Sequence, residues 1–123
     1  MRLLTRMLVA VAFMVPALSQ AWTWSSCQTV TAVTNYLAYD NGIFVSLSPG
    51  ISGCTGDYQA PYSSVGFVVG QEGVTSTNIN ALLATSLTAM ASGHQVMVAY
   101  DATTAPTCYA QVIAVGGFAG QCP

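Results

Sequence analysis

Few side chains in this sequence could carry out bond-breaking chemistry. There is one histidine, His94, and four carboxylates, Asp40, Asp57, Glu72 and Asp101. A nucleophile–histidine–carboxylate hydrolase would depend on His94. No G-x-S-x-G elbow accompanies it: Gly50-Ile51-Ser52-Gly53 is one residue short and opens no helix. His94 directly follows Gly93 at the predicted end of a helix, where the terminal carbonyls favour an imidazolium. Glycoside hydrolysis needs two carboxyl groups about 5 to 10 Å apart across a cleft. The four acids fall in separate turns and loops, which is how solvated turn residues are spaced. Calcium needs several oxygen ligands, and Asp57 lacks spaced partners. The cysteines contain no C-x-x-C and have no histidine close by, which argues against zinc. No catalytic residue, metal site or cofactor is expected.

The aromatic residues suggest binding instead. Trp22 and Trp24 stand together, Asp57, Tyr58 and Tyr62 share a polar loop, and Tyr109 begins a strand. Sugars present apolar C–H faces ringed by hydroxyls. Aromatic planes beside Ser, Thr, Asn, Gln and Asp therefore suit them without any basic residue. Trp22, Trp24, Tyr58, Tyr62 and Asp57 are the candidate ligand-binding residues. The competing use of these rings is packing, with the tryptophans stapling the N-terminal segment and the tyrosines filling gaps in the core.

Charge narrows the partners. Only 5% of the 123 residues are charged, and Arg2 and Arg6 are the sole basic residues. Both lie in a segment with the three parts of a secretory signal peptide: a positive start, an apolar run from Leu8 to Leu18, and small residues at Ser19-Gln20-Ala21. That run is shorter than the roughly 20 residues a membrane span requires, so no membrane insertion is expected. Cleavage after Ala21 would leave a domain, residues 22–123, with no Lys or Arg. Nucleic-acid binding, which rests on phosphate neutralisation, is excluded on that ground. So is docking to anionic lipid through a basic patch. The expected location is secreted or periplasmic.

A domain of ~100 residues has one modest core, and secreted domains of that size are commonly stapled by disulfides. Cys27, Cys54, Cys108 and Cys122 supply two bridges with three possible connectivities. Asp40-Asn41-Gly42 is the strongest hairpin signal in the chain. With the turn centred there, facing residues have numbers summing to about 81–83, and Cys27 with Cys54 meets that sum. The expected pairs are Cys27–Cys54 at the open end of the hairpin and, by remainder, Cys108–Cys122.

These residues must be positioned by short strands and one helix. Thr29–Tyr39 is β-branched and aromatic, Ile43–Ser48 alternates, and Val65–Val69 is a third strand. From Ile79 the period changes. Ile79, Leu82, Leu83, Leu87, Met90 and Ala91 form a helical stripe over about 77–92. Thr75, Ser76 or Thr77 can cap its start, and Gly93 follows its end. Strands over 95–100 and 108–115 complete the chain. The order β-β-β-α-β-β is that of the OB-fold, a five-stranded barrel plugged by a helix. Closure would also remove exposed edges. An α+β sandwich with one helix on a sheet is the alternative.

The layout resembles the receptor-binding B subunits of AB5 bacterial toxins, nearest the subtilase cytotoxin and pertussis-like type. The resemblance lies in the early Trp22 and Trp24, Cys54 after the second strand, the Ala-rich helix, and the step from Ala89 to Tyr100 (AMASGHQVMVAY). The same step is similar to one in a broad set of small exported bacterial proteins. The resemblance implies an OB-fold, pentamers and sugar binding, but no sugar-contacting residue of those subunits maps onto a position here. The expected function is a secreted, non-enzymatic module that recognises a glycan or cell-surface receptor as a homo-oligomer. The alternative is a self-assembling extracellular structural protein forming rings or filaments, since a surface with so little charge offers little repulsion between copies.

Overall fold

A computed structural model describes residues 22–35, 41–56 and 61–122. The expected leader over 1–21 lies outside them, as do Asp40, Asp57 and Tyr58. The elements are β1 (Trp22–Trp24), β2 (Thr29–Asn35), β3 (Gly42–Ser48), β4 (Ser64–Val68), α1 (Ile79–Ser92), β5 (Val96–Asp101) and β6 (Ala110–Val115). Short 3-10 turns follow at Ala102–Thr104 and Phe118–Gly120. The fold is mainly β with one helix. Its strands form two antiparallel three-stranded sheets, β1-β5-β6 and β2-β3-β4. The count of five strands in one closed barrel is not what is observed. Trp22–Trp24 adds a strand too short to show an alternating pattern. Among the described residues the sheets meet through two isolated bridges, Gln28 with Val96 and Gly66 with Tyr109, and not through a continuous ladder.

The β2-β3-β4 sheet is built from β-branched and aromatic residues that alternate. Ile43 and Val45 of β3, and Val65 and Phe67 of β4, are completely buried. Each such side chain stabilises the fold by roughly 1.5–3 kcal/mol through apolar burial. They share one core with Val96 and Val98 of β5, Ala110 and Ile113 of β6, and Ile79 and Ala89 of α1. Gly66 in β4 has no side chain for a packing reason. A Cβ there would sit 2.7 Å from the Phe44 ring, which crosses that position.

Helix α1 stops at Gly93 as its sequence suggests but starts about two residues later than expected, with Asn78 rather than Thr75, Ser76 or Thr77 at its N-cap. Asn78 N–H donates to Thr75 Oγ1, and Thr75 N–H donates to Asn78 Oδ1. This reciprocal pair closes the turn that leads into the helix, whose N-cap Asn78 makes no side-chain capping bond. Gly93 takes the left-handed conformation (φ 74°) and donates its N–H to Ala89 O. The buried face differs from the apolar stripe. Ile79, Ser86 and Ala89 are buried and Leu82 and Leu83 pack on the core, whereas Leu87 and Met90 are exposed. Small Ser86 and Ala89 let the helix approach the sheets closely. The Ser86 hydroxyl donates to Leu82 O, so its burial leaves no polar group unpaired.

The disulfides are Cys27–Cys122 and Cys54–Cys108, with Cα separations of 5.7 and 5.5 Å. Both expected pairs are therefore overturned. The hairpin register explains the first. Thr29 faces Ser48 and Asn35 faces Ile43, which centres the hairpin N-terminal to Asp40. Continued outward, that register sets Cys27 opposite Gly50 and leaves Cys54 beyond reach. The contact is visible in the side chain next along: Gln28 Oε1 accepts from Gly50 N–H at 2.7 Å. Cys108 instead lies against β4, where its carbonyl accepts from Gly66 N–H, and its sulfur joins Cys54 in the loop before that strand. The tail folds back at Gly116-Gly117 and reaches Cys27. Its Cys122 Sγ would lie 2.8 Å from a Cβ at Gly117. These bridges close loops of 95 and 54 residues. Each stabilises the fold by about 4–5 kcal/mol in the chain-entropy account, more than the ~3 kcal/mol of a short Cys108–Cys122 loop.

Candidate functional site

Strand β1 places Trp22 and Trp24 two residues apart, hence on one face of the β1-β5-β6 sheet. Their partners on β5 are Asp101 and Ala99. Both indoles remain open to solvent, at 44% and 40% of their surface. Phe118, 61% exposed, comes from the folded-back tail to meet Trp24, with ring centroids 5.5 Å apart and planes tilted by 40°. That separation is favourable for an aromatic pair. The Cys27–Cys122 bridge fixes the tail that carries Phe118, so the disulfide and the aromatic face are one construction.

Carboxylates border the same face. Trp22 Nε1–H donates to Glu72 Oε2 at 3.0 Å, which fixes the plane of the ring. Glu72 sits in the turn after β4 with φ 53°, in the left-handed region that few residues other than Gly, Asn and Asp adopt. The Asp101 carboxyl is held below its ordinary value of 3.8, first by the Thr103 hydroxyl, then by the Thr103 backbone N–H, with a smaller contribution from Glu72. Desolvation opposes the shift. The bonds are short, 2.6 Å from Thr103 Oγ1 and 2.9 Å from Thr103 N to Asp101 Oδ1.

The sequence candidates thus divide. Trp22 and Trp24 are brought together. Tyr62 lies in the loop before β4, where its hydroxyl accepts from Ser46 Oγ of β3 at 3.3 Å, so it does not extend the tryptophan face. Asp57 and Tyr58 lie outside the described residues. Tyr109 is partly buried at the bridge to Gly66, with its N–H donating to Thr104 Oγ1. Phe118, Glu72 and Asp101 join the site without having been singled out. Phe118 sits in a Gly-rich tail, and only the Cys27–Cys122 pairing shows where that tail goes. His94 is exposed just beyond α1, its backbone N–H donating to Ser92 Oγ. Among the described residues, no three His, Cys, Asp or Glu side chains gather as metal donors. Nor is any helix long and apolar enough to cross a membrane. Two disulfides fit an oxidising compartment.

No known protein family, curated protein or solved structure matches the chain.

Proposed function

We propose that this protein is a secreted, non-enzymatic, OB-fold-like binding module that takes glycans on the Trp22–Trp24–Phe118 face. The observation that carries this reading is two solvent-open indoles on one sheet face, one oriented by Glu72 and the other set against Phe118. Exposed large aromatics are costly to leave uncovered, and clustered ones mark binding surfaces. Ring planes take the apolar faces of a pyranose, while Glu72 and Asp101 accept hydrogen bonds from its hydroxyls. The barrel-like reading is supported by the path of residues 22–35. Ser25 and Gln28 hydrogen-bond along β5, and the chain then pairs along β3. The parallel Gly66–Tyr109 bridge joins the other two edges.

A glycan array tests the proposal. Binding to neutral glycans that is lost in Trp24→Ala is the expected result, and a flat array for the disulfide-bonded protein refutes it. The likeness to toxin B subunits adds a homo-oligomer to the proposal. Exposed Leu87, Met90, Val112 and Val115 favour self-association, and they equally support the second reading, an extracellular assembly protein. Native mass spectrometry separates closed rings from open-ended polymers.

A further inference from the structure

The acids around the tryptophans carry one sign of charge that nothing nearby offsets. Glu72 accepts from the Trp22 indole N–H, and Asp101 is the direct cross-strand partner of Trp22 in the β1–β5 ladder. Direct partners in an antiparallel pair stand on the same face of the sheet, with Cβ atoms about 4.5–5.5 Å apart. Two carboxylates from different elements, the turn after β4 and the end of β5, therefore flank one indole. The bonds these acids make, to Trp22 and to Thr103, lie at the exposed surface. Residues 22–123 contain no Lys or Arg to neutralise them. His94 precedes β5 whereas Asp101 ends it, which sets the two roughly 20 Å apart along the strand.

The rings match that charge. An aromatic face attracts a cation, and the indole does so most strongly. A carboxylate that accepts from the indole N–H polarises the ring and raises the electron density on its face. Trp22 is held in that arrangement and keeps its surface open to solvent. Trp24 stands about 7 Å further along β1, a spacing that a short oligosaccharide spans. Phe118, tilted against Trp24, continues the apolar surface.

We infer that this face selects amine-bearing sugars, glycans with a protonated amino group in place of a hydroxyl, over neutral and acidic ones. The inference rests on the glycan reading above and names the ligand class of that same face. The ammonium sits at Trp22 with Glu72 and Asp101, while the pyranose C–H faces stack on Trp24 and Phe118. A carboxylated or sulfated sugar meets like charge there, with no Lys or Arg to receive it.

The test uses two tetrasaccharides on the same β-1,4 backbone, cellotetraose and the glucosamine tetramer, which differ at C2 as hydroxyl against ammonium. Each is titrated calorimetrically into the disulfide-bonded protein at about pH 6, where sugar amines are protonated. The glucosamine tetramer should bind about tenfold more tightly, the joint size of an exposed cation–π contact and an exposed ion pair. Raising the salt from about 0.02 to about 0.5 M should shrink that ratio severalfold and leave cellotetraose binding unmoved. Glu72→Gln and Asp101→Asn keep an acceptor oxygen for Trp22 and Thr103, and each should lower the affinity of the glucosamine tetramer more than that of cellotetraose. Equal or weaker binding of the glucosamine tetramer overturns the inference and leaves the glycan reading standing. Binding of neither overturns the inference, and the glycan array then decides the glycan reading by itself. A preference that survives salt and both substitutions overturns it as well, because the carboxylates would play no part. So does displacement of the glucosamine tetramer by an equal concentration of a linear polyamine, because the rings would play none.

Discussion

Two glutamines mark two kinds of region in this molecule. Gln28 is fully buried where the chain passes from one sheet to the other, and every polar atom of its side chain is engaged. Its Nε2 donates to Ser26 Oγ and Gly50 O, and its Oε1 accepts from Gly50 N–H. Its backbone exchanges hydrogen bonds with Val96 in both directions. Gln111, on the rim of the second sheet, is partly buried with its carbonyl oxygen unpaired. The junction around Gln28 uses its polar groups to hold the fold. The rim, from Trp22 and Trp24 round to Gln111 and Val112, leaves rings and polar atoms unused by the fold. The proposed binding surface lies where folding does not consume these groups.

That contrast can be broken or sharpened by substitution. The largest effect should come from removing the junction's staple. Cys27→Ala with Cys122→Ala should lower unfolding free energy by about 4–5 kcal/mol, read by denaturant titration. It should also release the tail that carries Phe118. A loss under about 1 kcal/mol would show that the unfolded chain is already restrained there. Next comes the pair of glutamines. Gln28→Leu orphans the half-buried Gly50 N–H and the Gly50 carbonyl and should cost roughly 1–3 kcal/mol. Gln111→Met removes an unpaired acceptor and should be neutral or stabilising by about 1 kcal/mol. Equal losses at both positions would erase the distinction between junction and rim. Phe118→Ala, at the exposed ring, should cost only about 0.5–1.5 kcal/mol, the worth of its aromatic pair with Trp24.

The smallest effect is electrostatic. Asp101 has a folded value below 3.8 because Thr103 bonds to its charged form. What it contributes to the Ala102–Thr104 turn is therefore present above the unfolded value and lost as pH falls through the folded one. Carboxyl ¹³C titration should place Asp101 below 3.8, and Thr103→Val should raise it. A midpoint at or above 3.8 in the unmodified protein would remove Thr103 as the partner.

Much of the fold was legible locally. The change from period two to period 3.6 located α1, Gly93 marked its end, and the alternation of Ile43, Val45 and Leu47 gave the buried face of β3. What was not legible depends on contacts distant in sequence. The hairpin register hangs on Gln28 locking Gly50, which moved the expected cysteine partner. Ser86 is buried because the helix needs a small residue there, a requirement that hydrophobicity cannot reveal. At the candidate site the tryptophans stood out by type and spacing. Glu72, Asp101 and Phe118 reach them only through the β1–β5 ladder, the turn after β4 and the Cys27–Cys122 bridge.

The central claim, that the Trp22–Trp24–Phe118 face binds glycans, has a direct reporter. The chain has two tryptophans and both lie on this face. Tryptophan fluorescence titrated with neutral oligosaccharides therefore reads that surface alone. The account predicts a saturable change, reduced at least about tenfold in affinity by Phe118→Ala or Glu72→Gln, as expected for central binding contacts. A spectrum unmoved by any oligosaccharide that the protein retains on an array would contradict it, because binding would then lie elsewhere.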